Sequence, residues 1–451
     1  MSRMTAYVLY GGPLGVVGLS VLGWIRPGRW LTRAVWGWLS ALLGVGVLTL
    51  APHLRLTQPS SLLALVVLVI TWASAGDSLW WTAEHPAVPL TRYYLWWAGF
   101  WASLTGLALT DNLAAAWLWV ELSTVTSAAL ILEMHSRRAL EAAWKYVLIV
   151  SVGLLLGLLG LILLYAGLGS HHAGFATFNF GYLETHWRHI PLGIRQLSGV
   201  LLIVGLGTKV GLAPFHTWLP DAHAEAPAPV SGLLSGVLLG LTLWTLHRYL
   251  AAVPMGPVGS GSPWLLWLGV LSVMVGSFSL FMQREVKRLL AYSSVEQVGM
   301  MAIGLGLGTS AGIAAALWQW IFHAGIKSGT FFVSGHLSER LHAKRMDAWQ
   351  GAFRRAPRLG TVWAVGILAL SGVPPLGISY SEWLLVRALW LDHQTGVLVL
   401  LSVGLTVTFM ALLYHLLRGL FGSWERRQEE PSDHERLMED PDGQERALGH
   451  G

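Results

Sequence analysis

There is no cysteine among the 451 residues. That excludes disulfides, thiolate zinc sites and cysteine-ligated iron–sulfur clusters. Charge is nearly as scarce: Asp, Glu, Lys and Arg make up 12% of the chain, against about a quarter in an ordinary soluble domain. No nicotinamide, flavin or haem motif is present. The glycines of Gly304-Leu-Gly-Leu-Gly follow no strand and lie inside an apolar run, so they read as close helix packing and not as a nucleotide loop. No cofactor and no metal is expected. The formal charge of +5 sits in short loops, which argues against nucleic acid as a partner.

Apolar residues fill the space that charge leaves. The chain is 54% hydrophobic, with 25 Trp and 52 Gly, and long uncharged runs recur from end to end. Each matches the roughly 20 residues that a helix needs to cross a bilayer. The pattern predicts an all-α polytopic membrane protein with about thirteen helices. The expected spans are 5–25, 31–52, 61–76, 93–110, 112–134, 143–167, 196–214, 229–250, 264–282, 289–309, 311–337, 359–391 and 395–420. The first run is expected to be an anchor, because more spans follow at once and no small-residue cleavage site ends it. The tail Ser423 to Gly451, with nine acidic and four basic residues, is expected to be disordered or loosely attached. Cytoplasmic loops keep positive charge. With the N-terminus outside, nineteen Lys and Arg fall inside, from Arg26 to Arg427, and six outside. The tail is therefore expected in the cytoplasm, and the host membrane is expected to be the inner (cytoplasmic) one.

A charge at mid-membrane costs at least ~2.5–3.5 kcal/mol, so each one asks for a reason. Glu121 interrupts Trp117-Leu-Trp-Val-Glu-Leu-Ser. Lys209 lies in Gly205-Leu-Gly-Thr-Lys-Val-Gly-Leu-Ala-Pro214, and Glu296 follows Ala291-Tyr-Ser-Ser-Val. His323 and Lys327, four apart, share one helix face. Glu382 follows Ser371-Gly-Val-Pro-Pro-Leu-Gly-Ile-Ser-Tyr-Ser. The prolines there, and Pro214 and Pro220 after Lys209, are expected to break their helices. Such breaks are tolerated only inside protein or beside water, and a matching pair points to a transport site between repeats. The step along the chain from Glu121 to Glu296 nearly equals that from Lys209 to Glu382. These steps suggest two inverted five-helix repeats: 1–90 as N-terminal helices, 91–255 and 256–422 as the repeats, and 423–451 as the tail.

Burial disfavours the charged form of both a carboxylate and an amine, so these groups joined by water can pass protons. Glu121 is expected to control Lys209, the central carrier. His323 and Lys327 form the next relay, and Glu382 is the exit group. One buried glutamate alone reads as readily as a tie between helices; six ionisable groups on five helices, two of them beside breaks, outweigh that reading. Glu296 stands about two turns from a helix end and reads equally as interfacial. Lys145, near a helix start, could snorkel to the surface. His216 and His223 are placed in a cytoplasmic loop. Their spacing admits a metal, but loop packing or proton uptake explains them as well.

Lys209-Val-Gly-Leu-Ala-Pro-Phe-His-Thr-Trp-Leu-Pro-Asp-Ala-His223, followed by Glu225-Ala-Pro-Ala-Pro-Val-Ser, resembles the signature of the proton-conducting antiporter-like subunits. That family includes the large membrane subunits of complex I, the multisubunit Na+/H+ antiporters and the membrane-bound hydrogenases. Lys287-Arg-Leu-Leu-Ala-Tyr-Ser-Ser-Val-Glu296 and the His323 to Lys327 stretch agree in the same order, and the likeness runs from about residue 90 to 390. Glu141-Ala-Ala-Trp-Lys-Tyr and Leu233-Leu-Ser-Gly-Val-Leu-Leu look closest to the hydrogenase-4 component F branch.

The resemblance implies a central polar axis through Glu121, Lys209, His323 and Glu382, with Lys145 as a further relay lysine. It also implies other membrane subunits and a peripheral redox arm as partners, with protons, or Na+, as the moving ion. In that setting the chain is the non-redox subunit of an NADH dehydrogenase or hydrogenase type complex. The alternative is a redox-independent cation/proton antiporter or an inorganic-carbon uptake complex; a scaffold that has lost conduction is a third reading. Two positions depart from the family: Gly240 stands where many relatives carry lysine, and Gln297 where several carry histidine. The link between the two halves is then altered, or runs through water and His247.

Overall fold

The computed structural model describes residues 13, 15–20, 30–50, 60–256 and 261–421. Most of the expected first span and the whole polar tail lie outside them. Among the described residues the chain is helical, with no strand beyond isolated bridges, as a bilayer demands of backbone that must satisfy its own hydrogen bonds. The helices are α1 (Trp30–Leu50), α2 (Ser60–Glu84), α3 (Leu90–Leu109), α4 (Leu113–Leu132), α5 (Arg137–Gly167), the short α6 (Phe180–His186), α7 (Leu192–Val210) and α8 (Trp218–Glu225). Then come α9 (Ala228–Ala252), α10 (Pro263–Leu280), α11 (Val286–Leu307), α12 (Ser310–Leu341), α13 (Pro357–Leu370), α14 (Gly377–Leu391) and α15 (Thr395–Phe421). Among the described residues, seven segments are long and apolar enough to cross a membrane.

Helix starts follow local chemistry. The Asn112 side chain accepts from the Ala115 N–H at the head of α4, and Ser136 accepts from Ala139 at the head of α5, both at 3.0 Å. Pro263 and Pro357 open α10 and α13, where a missing N–H costs nothing. Packing sorts the helices by depth. The apolar stretch of α9 is 94% buried, whereas that of α15 is 33% buried. α9 is thus the central post, and the outward faces of α5 and α15, with Leu148, Val152, Leu155 and Val399 exposed, are suited to lipid. At Leu234–Leu238 α9 takes one π turn, beside Ser328 of α12, whose hydroxyl donates to the Gly232 carbonyl at 2.8 Å.

The third expected span ended at residue 76; α2 continues to Glu84. The charge of Asp77, just past that expected end, is satisfied inside the bundle, where it accepts from His336 of α12 at 2.7 Å.

Both expected breaks are present, and they are built alike. α7 ends at Gly211 (φ 78°), whose N–H bonds the Thr208 carbonyl while the Leu212 N–H bonds that of Gly207. α13 ends at Gly372 (φ 74°), whose N–H bonds Ala369 while Val373 bonds Leu368. This double bond with a left-handed residue between is the Schellman stop, which glycine enters without penalty. A proline three positions after each glycine, Pro214 or Pro375, keeps the helix from resuming at once. The step from Gly211 to Gly372 is shorter than that from Lys209 to Glu382. Break for break, Lys209 therefore stands opposite Leu370, and Glu382 opposite Asp221; the step from Lys209 to Glu382 joins unlike places.

Candidate functional site

Glu121, Thr124 and Ser127 follow one another at steps of three and so line one face of α4. Facing them, α5 presents Tyr146 and Ser151, and α7 brings Lys209 to its last turn, just before the break. Lys209 is fully buried. Its ammonium donates to Thr124 Oγ1 at 2.8 Å and to Tyr146 Oη at 2.6 Å. Tyr146 Oη in turn shares a 2.8 Å hydrogen bond with Ser127. The Tyr146 ring stacks on Trp218 of α8 at 4.6 Å, and Trp218 Nε1 ties back to the Thr208 carbonyl at 2.8 Å. The broken helix thus folds over its own lysine. Glu121 does not touch Lys209: one oxygen accepts from Ser151 at 3.0 Å and the other is buried without a partner. Hydroxyls fill the interval.

The second cluster repeats the theme on α11, α12 and α14. Lys327, also fully buried, donates to Ser293 Oγ and, at 3.0 Å, to the Leu290 carbonyl. Glu296 is wholly enclosed, and neither carboxylate oxygen has a hydrogen-bond partner. Neighbouring helices thus cover a residue that chain distance placed near a helix end. Glu382, at the start of α14, lies against Gly372, where a Cβ would fall 2.2 Å from Glu382 Oε2. Beside these carboxylates runs an amide chain. Ser381 donates to Gln319 Oε1 at 2.5 Å, Gln319 donates to Gln297 Oε1, and Gln297 donates to the Leu370 carbonyl at 3.3 Å. Gln297 thus holds the end of α13 to the start of α14 across the break.

Two histidines lie on or against α12. His323 and His223 are fully buried, and neither ring nitrogen of either has a partner. His223 stacks on Phe331 of α12 at 5.1 Å. The loop placement of His223 is corrected: it sits on α8, which resumes after the break, and it is fully buried. His216 stays on the break itself, with its Nδ1 buried and unpartnered, 6.0 Å from the Tyr292 ring. At Gly240 a Cβ would fall 1.8 Å from Trp320 Cδ1. The indole of α12 occupies the place a longer side chain would need. His247 lies about two turns further along α9, against Trp244 and next to Arg248, which bonds Asp111 and the Thr110 carbonyl at the far end of the bundle.

Lys145 is half-exposed at the basic face. It pairs with Glu141 at 2.5 Å and Asp221 at 3.3 Å, and Arg288 joins Asp221 from the other side. These groups rim a cavity of about 320 Å³. The structure separates Lys145 from the buried lysines and gives the interior position to its neighbour Tyr146. Tyr146, Thr124 and Ser293 were missed in the sequence because an uncharged hydroxyl in an apolar run raises no alarm. The buried lysine beside them was the only available signal.

Residues 110–410 match the family described as NADH:quinone oxidoreductase/Mrp antiporter, transmembrane. The chain is 31% identical over 343 residues to the hydrogenase-4 component F homolog of Methylacidiphilum infernorum, covering 75% of this chain and 71% of that one. It spans 61% of the length of the NADH-quinone oxidoreductase subunit N of Desulforudis audaxviator, less than two thirds. Among solved structures, a chain of the membrane-bound sulfane sulfur reductase, an archaeal respiratory membrane complex, superposes with a TM-score of 0.83 at 21% identity, over 94% of this chain and 89% of that one. A chain of respiratory complex I from Thermus thermophilus gives 0.72 at 26% identity, over 93% and 90%. Breaks, buried lysines and the span of the match agree: this chain is a multi-pass membrane protein of the NADH:quinone oxidoreductase/Mrp antiporter transmembrane family.

Proposed function

We propose that this chain carries protons through the membrane as one subunit of a multisubunit complex, in which neighbouring subunits do the redox chemistry. The observation that carries the reading is that Lys209 and Lys327 are fully buried yet hydrogen-bonded only to hydroxyls and a carbonyl. A lysine kept for structure would be neutralised by a touching carboxylate, since an unpaired buried charge is costly. Here the carboxylates stand off, which suits groups that exchange protons. Glu121 biases Lys209; His223 and His323 link it to Lys327; Glu296 and Glu382 lead away. Lys145, with Asp221 and Arg288, collects protons at the basic face, and His216 lies beside that intake. The C-terminal end faces the cytoplasm and the N-terminus the outside, in the inner membrane of the cell.

The test is a mild-detergent pull-down from native membranes, followed by reconstitution of the isolated complex in vesicles with a pH-sensitive dye. Co-purifying iron–sulfur subunits and a proton flux abolished by Lys209→Ala are the expected results. A partner set without any redox subunit overturns the redox coupling, and flux surviving Lys209→Ala overturns conduction through this axis.

A further inference from the structure

α2 lies ahead of the family match at residues 110–410, yet it carries a buried acid into the bundle. The Asp77 side chain is 6% exposed and accepts from His336 Nε2 at 2.7 Å. Trp80, three positions on, stacks on the His336 ring at 3.7 Å between centroids. One turn further along α12, Glu339 meets His85 of α2 at 3.5 Å. Two cavities meet here. One of about 620 Å³ is lined by His336, Glu339 and Arg340; the other, of about 310 Å³, by Glu225, Lys287 and Glu339. Glu339 and His342 form part of both walls.

Lys287 is the link inward. It lines the smaller cavity with Glu225, Glu339 and Lys344, and its ammonium donates to the Ala226 carbonyl at 2.7 Å. It stands on α11 one turn before Leu290, whose carbonyl accepts from Lys327, and two turns before Ser293, which also accepts from Lys327. His336 and Lys327 are two and a half turns apart, on opposite faces of α12, so the connection runs along α11 and not along α12.

We propose that the Asp77–His336 pair, with Lys287, is a second proton intake at the basic face, supplying Lys327 separately from the Lys145–Asp221 mouth that serves Lys209. Imidazole and carboxylate share a proton across one hydrogen bond, a geometry suited to taking it from cavity water and releasing it inward. The proposal rests on the conduction reading above.

The experiment uses the whole complex in vesicles, with proton flux read by dye quenching. Asp77→Asn keeps the hydrogen bond to His336 but removes the charge, and His336→Ala opens a space for added imidazole. Each is expected to lower flux by roughly tenfold, and imidazole at the basic face is expected to restore most of the His336→Ala loss. A pair that only ties α2 to α12 predicts the opposite: Asp77→Asn at the wild-type rate and no imidazole response. Either of those results overturns the proposal. If His336→Ala fails to assemble, Asp77→Asn with the flux readout decides alone. Lys327→Ala, downstream of both intakes, run beside them separates the two ideas: flux that survives it removes the conduction reading, whereas flux lost there but untouched by Asp77→Asn removes only the second intake.

Discussion

Lys209 and Lys327 sit in similar cages, each donating to a serine, threonine or tyrosine hydroxyl and neither touching a carboxylate. Their surroundings differ. Around Lys209 the polar groups are hydroxyls in series, Thr124, Tyr146 and Ser127, with Glu121 anchored by Ser151. Around Lys327 the carboxylate Glu296 has no partner at all, and the nearby hydrogen-bonding capacity goes into a stiff amide chain that clamps α13 to α14. Hydroxyls rotate and can both give and take a proton, whereas an amide has fixed donors and acceptors. On the proposed conduction, the first cluster suits transfer within itself. The second is built to hold the break steady, and it depends on whatever water or histidine reaches Glu296.

Six substitutions sharpen this contrast. Lys209→Ala is expected to lower proton flux at least about 100-fold, measured by dye quenching in vesicles; Lys327→Ala matching it shows that the clusters act in series. A smaller loss, roughly tenfold, is expected for Tyr146→Phe, which keeps the ring on Trp218 but removes the hydroxyl from Lys209. An unchanged rate there would mean that the hydroxyl series is only a structural cage. Gln319→Leu strands buried groups on Gln297 and Ser381, at about 1–3 kcal/mol, seen as a lower melting temperature in detergent with flux reduced only in proportion to folded protein. If flux fell far more than folding, the amide chain would belong to the path. Gly240→Ala forces a methyl into the Trp320 ring and is expected to cost about 1–3 kcal/mol. Trp320→Ala combined with it recovers the overpacking part, a coupling that a double-mutant cycle measures.

Residue patterning alone carried the membrane class, because apolar runs long enough to cross a bilayer have no other use in a chain with so little charge. It also located both breaks, since Gly211, Pro214, Gly372 and Pro375 act on their own backbone and need no distant partner. The six intramembrane charges were legible for the same reason: a charge in an apolar run is anomalous wherever the helix packs. What the sequence could not supply was which groups meet. The expected third span stopped at residue 76, because the partner of Asp77, His336, lies far along the chain on α12. His223 looked like a loop residue, whereas it lies buried on the short helix that resumes after the break. The repeat step measured between charges was longer than the step between the two breaks, because charge and backbone stop need not coincide. Hydroxyl cages, the amide clamp and the Trp320 plug over Gly240 all join helices far apart in the chain. Composition fixes how much polarity a membrane protein carries; only packing decides what that polarity touches, because side-chain contacts between helices are set by their faces and depths and not by distance along the chain.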